Sequence, residues 1–454
     1  MCTFCENTFV FGTRQSIQLN KKLDIDGLVQ QALNQLYNDR KVDKKTAKKL
    51  AQSHYEPLKE AVEEGYGKSL FKVEYNTPNY EFLKALQTNA AVFATFKSHA
   101  ATKQMAGLLK DAEGNLKPKE QFVREALAVD ATYRKQYLDT EYDTAVRQAR
   151  MAANWQRYEK NKRLYPNLRY VRSKAAKPDE THLQYVGINR PVDDPFWNSH
   201  YPPNRWRCQC SVEPNDDDVT DIPDKLPPVD PVFAFNSGKT QQVFDLEKSE
   251  YIKSVSAAAM PGLIRDAEKM VVKDVAANLQ YQPIYSSKAG NVVLAHPMAF
   301  DNGDFDDCVK AARELANNAD GPKSIQILPD LFDPELRAIL LPNVKGSKNP
   351  DFRIDGKYIE LKEPEGEKPG SRTFKNLLRD ALEQSSGAAL VIPEGYCNKE
   401  TLTKEVGRIY KHDDFKDFPL WVRFQNKWQA HTQESWRKWY QEVHKTTKPR
   451  RSGA

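Results

Sequence analysis

Residues 349–364 read Asn-Pro-Asp-Phe-Arg-Ile-Asp-Gly-Lys-Tyr-Ile-Glu-Leu-Lys-Glu-Pro, and the Asp355-Gly356 pair near their centre constrains the chain more than any other stretch. Both central positions of a type I′ turn need positive φ, and aspartate followed by glycine is among the few pairs that supply it. A two-residue turn keeps paired residue numbers at a constant sum. Ile354 should therefore pair with Lys357, Arg353 with Tyr358, Phe352 with Ile359 and Asp351 with Glu360. Side chains alternate between faces along a strand. Phe352, Ile354, Ile359 and Leu361 then share a core face, while Asp351, Arg353, Tyr358, Glu360 and Lys362 share the other. That second face sets two carboxylates opposite each other with an ammonium two residues on, and like charges so placed repel unless something binds them.

Two facing carboxylates and a lysine can hold a divalent cation such as Mg²⁺, which activates water and neutralises a phosphate. The plain alternative is a charged face that meets water. Pro350-Asp351 followed by Glu360-Leu361-Lys362 resembles the PD-(D/E)xK signature of restriction-endonuclease-like nucleases. That resemblance implies Asp351 and Glu360 as metal ligands and Lys362 as the group that positions the nucleophile or stabilises the transition state. Arg353, Lys368, Arg372, Lys375 and Arg379 are the accompanying candidates for holding phosphates.

The flanks read as an α/β unit. Phe305 to Asn317 predicts a helix, Ser324 to Leu328 a short strand, Phe374 to Gln384 a second helix, and 388–392 an apolar strand. The loop 366–370, with glycine at both ends, separates the hairpin from the second helix. Through Leu328-Pro329, Asn349 to Lys362 and the helix entering the apolar strand, residues 290–430 resemble the tRNA-nuclease domains at the C-termini of CdiA-type contact-dependent inhibition toxins. The resemblance implies a nucleic-acid substrate, tRNA first, and leaves open whether an immunity protein exists. Two other readings stay open: an inert module, and a metal-independent ribonuclease resembling the barnase and colicin-type folds, with glutamate and lysine as base and acid.

The whole chain of 454 residues is long enough for two or three domains, each with its own core. A net charge of +6 is small for this length, so composition does not imply a general nucleic-acid coat. No apolar run approaches a membrane span, and residues 1–10 lack the pattern of a secretory leader, so the expected site of synthesis is the cytoplasm. Six cysteines do not make a disulfide scaffold in a chain of this size. Cys2-x-x-Cys5 and Cys208-x-Cys210 could supply four thiolates to a structural zinc, but reduced, unligated thiols are the commoner outcome, and Cys308 reads as helix packing.

Residues 21–165 read as helical, with Asp26 as a cap before Leu28, Val29, Ala32, Leu33, Leu36 and Tyr37, and a further helix opening at Asn76-Thr77-Pro78. Tyr142, Ala145, Ala149 and Ala152 form an apolar stripe ending near Trp155, which predicts scaffold. The following segments carry a second resemblance: Asn154-Trp155, Tyr165-Pro166, His182, Asp193-Asp194-Pro195-Phe196-Trp197, and Pro202-Pro203-Asn204-Arg205-Trp206-Arg207-Cys208-Gln209-Cys210. They look like the Mu-type phage head-morphogenesis, or minor head, proteins. The departures are the spacing at 174–179 ahead of His182, and Arg205 where a glycine is common. Pro195, Phe196, Trp197, Pro202, Pro203 and Trp206 suggest an irregular loop packed on its rings. His182, Cys208 and Cys210 are a candidate metal set, against the commoner reading of a satisfied histidine beside two buried thiols.

The expected organisation is multidomain α+β. It has an α-helical head-morphogenesis module over 1–215, a proline-rich linker and helical connector over 216–289, the α/β nuclease module with its hairpin site over 290–430, and a basic aromatic tail over 431–454. Gly238-Lys239-Thr240 lacks the first glycine of a phosphate-binding loop, Phe233 standing in its place. The resemblances imply a phage portal and capsid shell as partners and no membrane. They place the protein in the bacterial cytoplasm during assembly and then in the phage head.

Overall fold

The computed structural model describes residues 24–446 except 74–76, 174, 176–177, 319, 345–346 and 371. Cys2, Cys5, Asn76, Lys174, Lys448, Arg450 and Arg451 lie outside the described residues. The fold is mixed α/β and divides into two compact units between Asp274 and Val275.

The first unit is built on α1 (Ile25–Asp39), α2 (Lys44–Tyr66), α3 (Pro78–Gly107), α4 (Lys119–Ala131) and α5 (Leu138–Asn161). Asp24 caps α1 by accepting from the Gly27 N–H at 2.9 Å, two residues earlier than the expected Asp26, which instead sits in the first turn where a negative charge suits the helix dipole. Thr77 caps α3 and Pro78 occupies its first position. Tyr80, Leu83, Leu86, Ala90, Phe93, Ala94 and Phe96 bury α3 almost all round, so it is the central helix. α2 and α5 approach closely at Gly65, where a Cβ would meet the Val146 carbonyl at 2.1 Å. The predicted stripe on α5 is core: Tyr142, Ala145, Ala149, Ala152 and Trp155 are all buried.

A three-stranded antiparallel sheet follows, ordered β2 (Asn189–Pro191), β1 (Asn167–Val171), β3 (Ser211–Asn215), with the single-turn α6 (Glu180–Leu183) beside it. Phe196 and Trp197 pack into this region as their rings predicted, joined by Tyr201, but Trp206 remains 36% exposed. The proline-rich segment is bound rather than free. The Asn189 amide donates to the Asp217 and Asp218 carbonyls at 3.1 and 2.8 Å, Tyr185 Oη donates to the Pro227 carbonyl at 2.7 Å, and Val229 is buried. Proline fixes an extended backbone that leaves carbonyls outward for such contacts. In α7 (Ser237–Thr240), Gly238 lies against Trp155, whose side chain a Cβ would enter, so this glycine serves packing. Within the linker and connector expected over 216–289, the long helix is α8 (Met260–Asn278), which begins with Pro261 in its first turn.

The second unit is an eight-stranded mixed sheet ordered β11-β10-β9-β8-β7-β6-β5-β4. Its strands are β4 (Gln282–Ser286), β5 (Val292–Ala295), β6 (Ser324–Ile327), β7 (Phe352–Ile354), β8 (Lys357–Lys362), β9 (Ala388–Val391), β10 (Leu420–Phe424) and β11 (Lys427–His431). The helices are α9 (Phe305–Asn317), α10 (Pro334–Leu340), α11 (Thr373–Gln384), α12 (Lys399–Tyr410) and α13 (Gln433–Thr446). Alternation along β9 shows the two faces. Ala389 packs in the cluster containing Cys308, Ala312 and Leu315 of α9, while Ala388 and Leu390 pack in the cluster of α11, α12 and α13. Trp436 and Trp439, expected in an exposed tail, are 3% and 9% exposed because their spacing of three puts both on the α12 side of α13, with Arg437 and Lys438 left to solvent.

Candidate active site

The hairpin has the counted register: Phe352 pairs with Ile359, Arg353 with Tyr358 and Ile354 with Lys357. Asp355 and Gly356 have φ of 49° and 78°, both positive as a type I′ turn requires. Phe352, Ile354 and Ile359 are buried against α9 and Leu361 is partly buried there. β7 and β8 thus form the middle of the sheet, with β8 running parallel to β9.

Asp351 lies one residue before β7. Its carboxylate Oδ2 accepts from the Leu361 N–H at 2.6 Å, and its carbonyl accepts from the Leu328 N–H at 2.9 Å. The preceding loop is pinned by Arg337, which is 7% exposed and donates to the carbonyls of Leu331 and Lys348 and to Asn349 Oδ1. Glu360 is 5% exposed, and its Oε1 accepts from Lys362 Nζ at 2.9 Å. Gln384, the last residue of α11, completes this contact with its amide turned so that the nitrogen donates to Glu360 Oε1 and the oxygen accepts from Lys362 Nζ, each at 3.1 Å, the orientation the donors and acceptors around it require. Among the described residues, the buried Glu360 Oε2 has no hydrogen-bond partner.

A third carboxylate, which sequence reasoning missed, comes from Asp304 at the start of α9. Donor atoms of Asp304, Cys308 and Asp351 all lie within 4.8 Å of one another. Glu360 stands outside that trio, next to Lys362 and Gln384. Asp304 leaves the helix uncapped, so its carboxylate is available to the cluster.

Burial raises the Asp351 carboxyl well above the usual range, and the charges of Glu360 and Asp304 push it further. Glu360 is raised by burial as well, against the downward pull of the Lys362 ammonium and with Asp304 and Asp330 adding to the rise. Burial and the nearby carboxylates push the Cys308 thiol up, so it stays protonated. The crowded carboxylates of Asp304 and Asp351, with the orphaned Glu360 oxygen nearby, are hard donors, whereas the protonated Cys308 thiol is not. These residues fit a divalent cation held through oxygen.

Among the phosphate candidates, Arg353 is engaged on the sheet: its Nε donates to Gln326 Oε1 at 2.6 Å and its guanidinium stacks 5.8 Å from the Tyr281 ring centroid. Lys368, Arg372, Lys375 and Arg379 are exposed. At ~1.5 Å rise per residue, Arg379 stands about 7 Å along the α11 axis from Gln384 and Arg372 about 18 Å, so the helix carries positive charge away from the carboxylates rather than onto them.

These shifts set a pH dependence. A carboxyl whose folded pKa exceeds its unfolded value of about 4 contributes stability that is complete below the unfolded pKa and is lost as pH rises through the folded one. In chelator, thermal unfolding of the full chain should show the transition of the second unit falling between pH 5 and 8. In Glu360→Gln and Asp351→Asn that fall should be smaller, and both variants should melt above the parent at pH 8. Parallel pH profiles for parent and variants would refute the assignment.

Residues 99–213 match the family described as Phage Mu protein F like protein. Residues 348–423 match the contact-dependent growth inhibition CdiA C-terminal domain, spanning the hairpin, α11 and β9. The chain is 31% identical over 105 residues to the putative capsid assembly protein F of Escherichia phage Mu, covering 23% of this chain and 21% of that protein. It is 36% identical over 76 residues to the Mu-like prophage FluMu F protein of Haemophilus influenzae, covering 17% of each. The chain thus spans about a fifth of the length of these curated relatives. No solved structure matches the chain. The chain thus carries one segment similar to phage Mu protein F and another similar to the CdiA C-terminal domain.

Proposed function

We propose that this protein is a phage or prophage minor head protein whose C-terminal module is a metal-dependent nuclease, with tRNA as the expected substrate. The observation that carries the nuclease reading is the Asp351–Glu360–Lys362 constellation on a hairpin of counted register, with Glu360 Oε2 buried and unpartnered. Head assembly rests on the likeness of residues 99–213 to phage Mu protein F, and tRNA on the likeness of residues 348–423 to CdiA termini. Portal and capsid proteins are the partners this reading assigns, with synthesis in the bacterial cytoplasm and delivery in the phage head. No helix among the described residues is long and apolar enough to cross a membrane.

Asp304, Asp351 and Glu360 would hold the cation, which supplies an activated water and charge neutralisation at the phosphate. The Lys362 ammonium is held by Glu360 and Gln384, so it enters the reaction already oriented and steadies the charge that develops on the phosphate oxygens. Exposed Lys375 and Arg379 on α11 remain the candidates for steadying the phosphodiester backbone away from the scissile bond. The test is to incubate the purified full chain with total tRNA and with duplex DNA, each with Mg²⁺ or with chelator. Mg²⁺-dependent cleavage, tRNA over DNA, is expected. Cleavage unaffected by chelator would replace the metal mechanism with glutamate–lysine acid–base chemistry, and intact substrates throughout would leave an assembly protein alone.

A further inference from the structure

His182, Cys208 and Cys210 converge in the first unit, far in sequence from the nuclease hairpin. His182 Nδ1 lies 3.4 Å from Cys208 Sγ and 3.6 Å from Cys210 Sγ, and the three donor atoms are all within 4.8 Å of one another. The residues are 7%, 5% and 9% exposed. We infer that they form a structural site for a thiophilic, tetrahedral divalent cation, Zn²⁺ by preference.

The distances favour this over an imidazole resting beside two thiols. With Zn–S about 2.3 Å and Zn–N about 2.0–2.1 Å at a tetrahedral angle, the N···S edge is about 3.6 Å. One imidazole nitrogen carries a single in-plane lone pair and accepts one S–H, yet here two sulfurs approach the same Nδ1 almost equally. A shared cation explains both approaches at once.

The surroundings are those of metal-bound thiolates. Cys208 Sγ accepts from the Cys210 N–H at 3.5 Å. A cation would take both sulfurs as thiolates, each thiol that binds giving its proton to solvent. Among the described residues the buried Tyr170 hydroxyl meets no oxygen or nitrogen partner and lies against Cys210, whose thiolate would accept its hydrogen bond. His182 is oriented from behind: Asp179 caps α6 by accepting from the Thr181 and His182 N–H groups and also pairs with Arg205. Arg205 in turn opens the tight turn into Cys208, which includes Arg207 at φ of 59°. The cation would thus fasten α6 to the entry of β3, in a part of the fold with few regular hydrogen bonds.

The experiment measures bound metal in the full chain purified under reducing conditions without chelator. About one zinc per chain is expected, and replacement by Co²⁺ should give sulfur-to-cobalt charge-transfer absorption with the intense visible bands of a tetrahedral ion. Both should persist in the Cys2→Ser/Cys5→Ser/Cys308→Ser/Cys397→Ser chain, which removes the four other thiols. Both should vanish in Cys208→Ser, Cys210→Ser and His182→Ala. Strong chelator on the parent chain should lower the melting temperature of the first unit by roughly 5–10 °C and expose two thiols to a thiol reagent, so the result stands even if the variants misfold. A chain that binds neither zinc nor Co²⁺, a Cys208–Cys210 disulfide, or metal lost with Cys2 and Cys5 instead would overturn the site.

Discussion

Replacing Glu360 by glutamine is expected to lower Mg²⁺-dependent cleavage by roughly 10²–10⁴-fold, the range a positioned charged or proton-transferring group supplies to a transition state. Glutamine keeps the shape and can still meet Lys362 and Gln384, so only the negative charge is lost, and with it the ligand whose Oε2 has no protein partner. Asp351→Asn should behave alike, because it retains an oxygen for the Leu361 N–H while removing charge from the group shared with Asp304. Lys362→Ala should divide differently. The rate should fall, but the Mg²⁺ concentration giving half-maximal rate should hold, since an ammonium cannot ligate. Single-turnover cleavage of tRNA across a Mg²⁺ titration separates these effects. A Glu360→Gln chain that cleaves at the parental rate would remove Glu360 from the chemistry.

The hairpin was legible because its register is arithmetic: once Asp355-Gly356 is the turn, pairing and facing follow without tertiary information. The helices at 305–317 and 374–384 were legible from their apolar spacing. Asp304 was not, because it belongs to an acidic run with Asp301, Asp306 and Asp307, and only the packing of α9 beside β7 selects it. Gln384 is equally silent, an ordinary polar helix end until the fold sets it beside Lys362. The β10–β11 hairpin escaped notice for a local reason: its turn residues Gln425 and Asn426 both adopt positive φ, at 51° and 61°, without the glycine that advertises such a turn. At 216–230 the composition misleads, because proline and aspartate suit a free tether and a bound strap alike. Asn189, Thr220 and Tyr185 decide for the strap.

Deleting Gly356 should do more damage than any single change at the carboxylates, whereas Gly356→Ala should be mild. A Cβ at Gly356 meets nothing within 4 Å, so alanine pays only for a φ of +78°, about 1–2 kcal/mol. Deletion changes the pairing sum itself. With Asp355 and Lys357 as the new turn, Ile354 would face Tyr358, Arg353 would face Ile359 and Phe352 would face Glu360, so the second strand presents its charged side to α9. Ile359 and Leu361 would leave the core, at about 1.5–3 kcal/mol for each fully buried side chain, and Glu360 and Lys362 would enter it where α9 offers mainly alanine and leucine. Because β7 and β8 lie in the middle of the sheet, the loss cannot be confined to an edge. The deletion chain should therefore lose the cooperative unfolding transition of residues 275–454, become open to protease throughout that region, and cleave nothing with or without Mg²⁺. Gly356→Ala should keep its activity and melt only a few degrees lower. A deletion chain that retained the parental transition would show that the turn does not set the register on which the site depends.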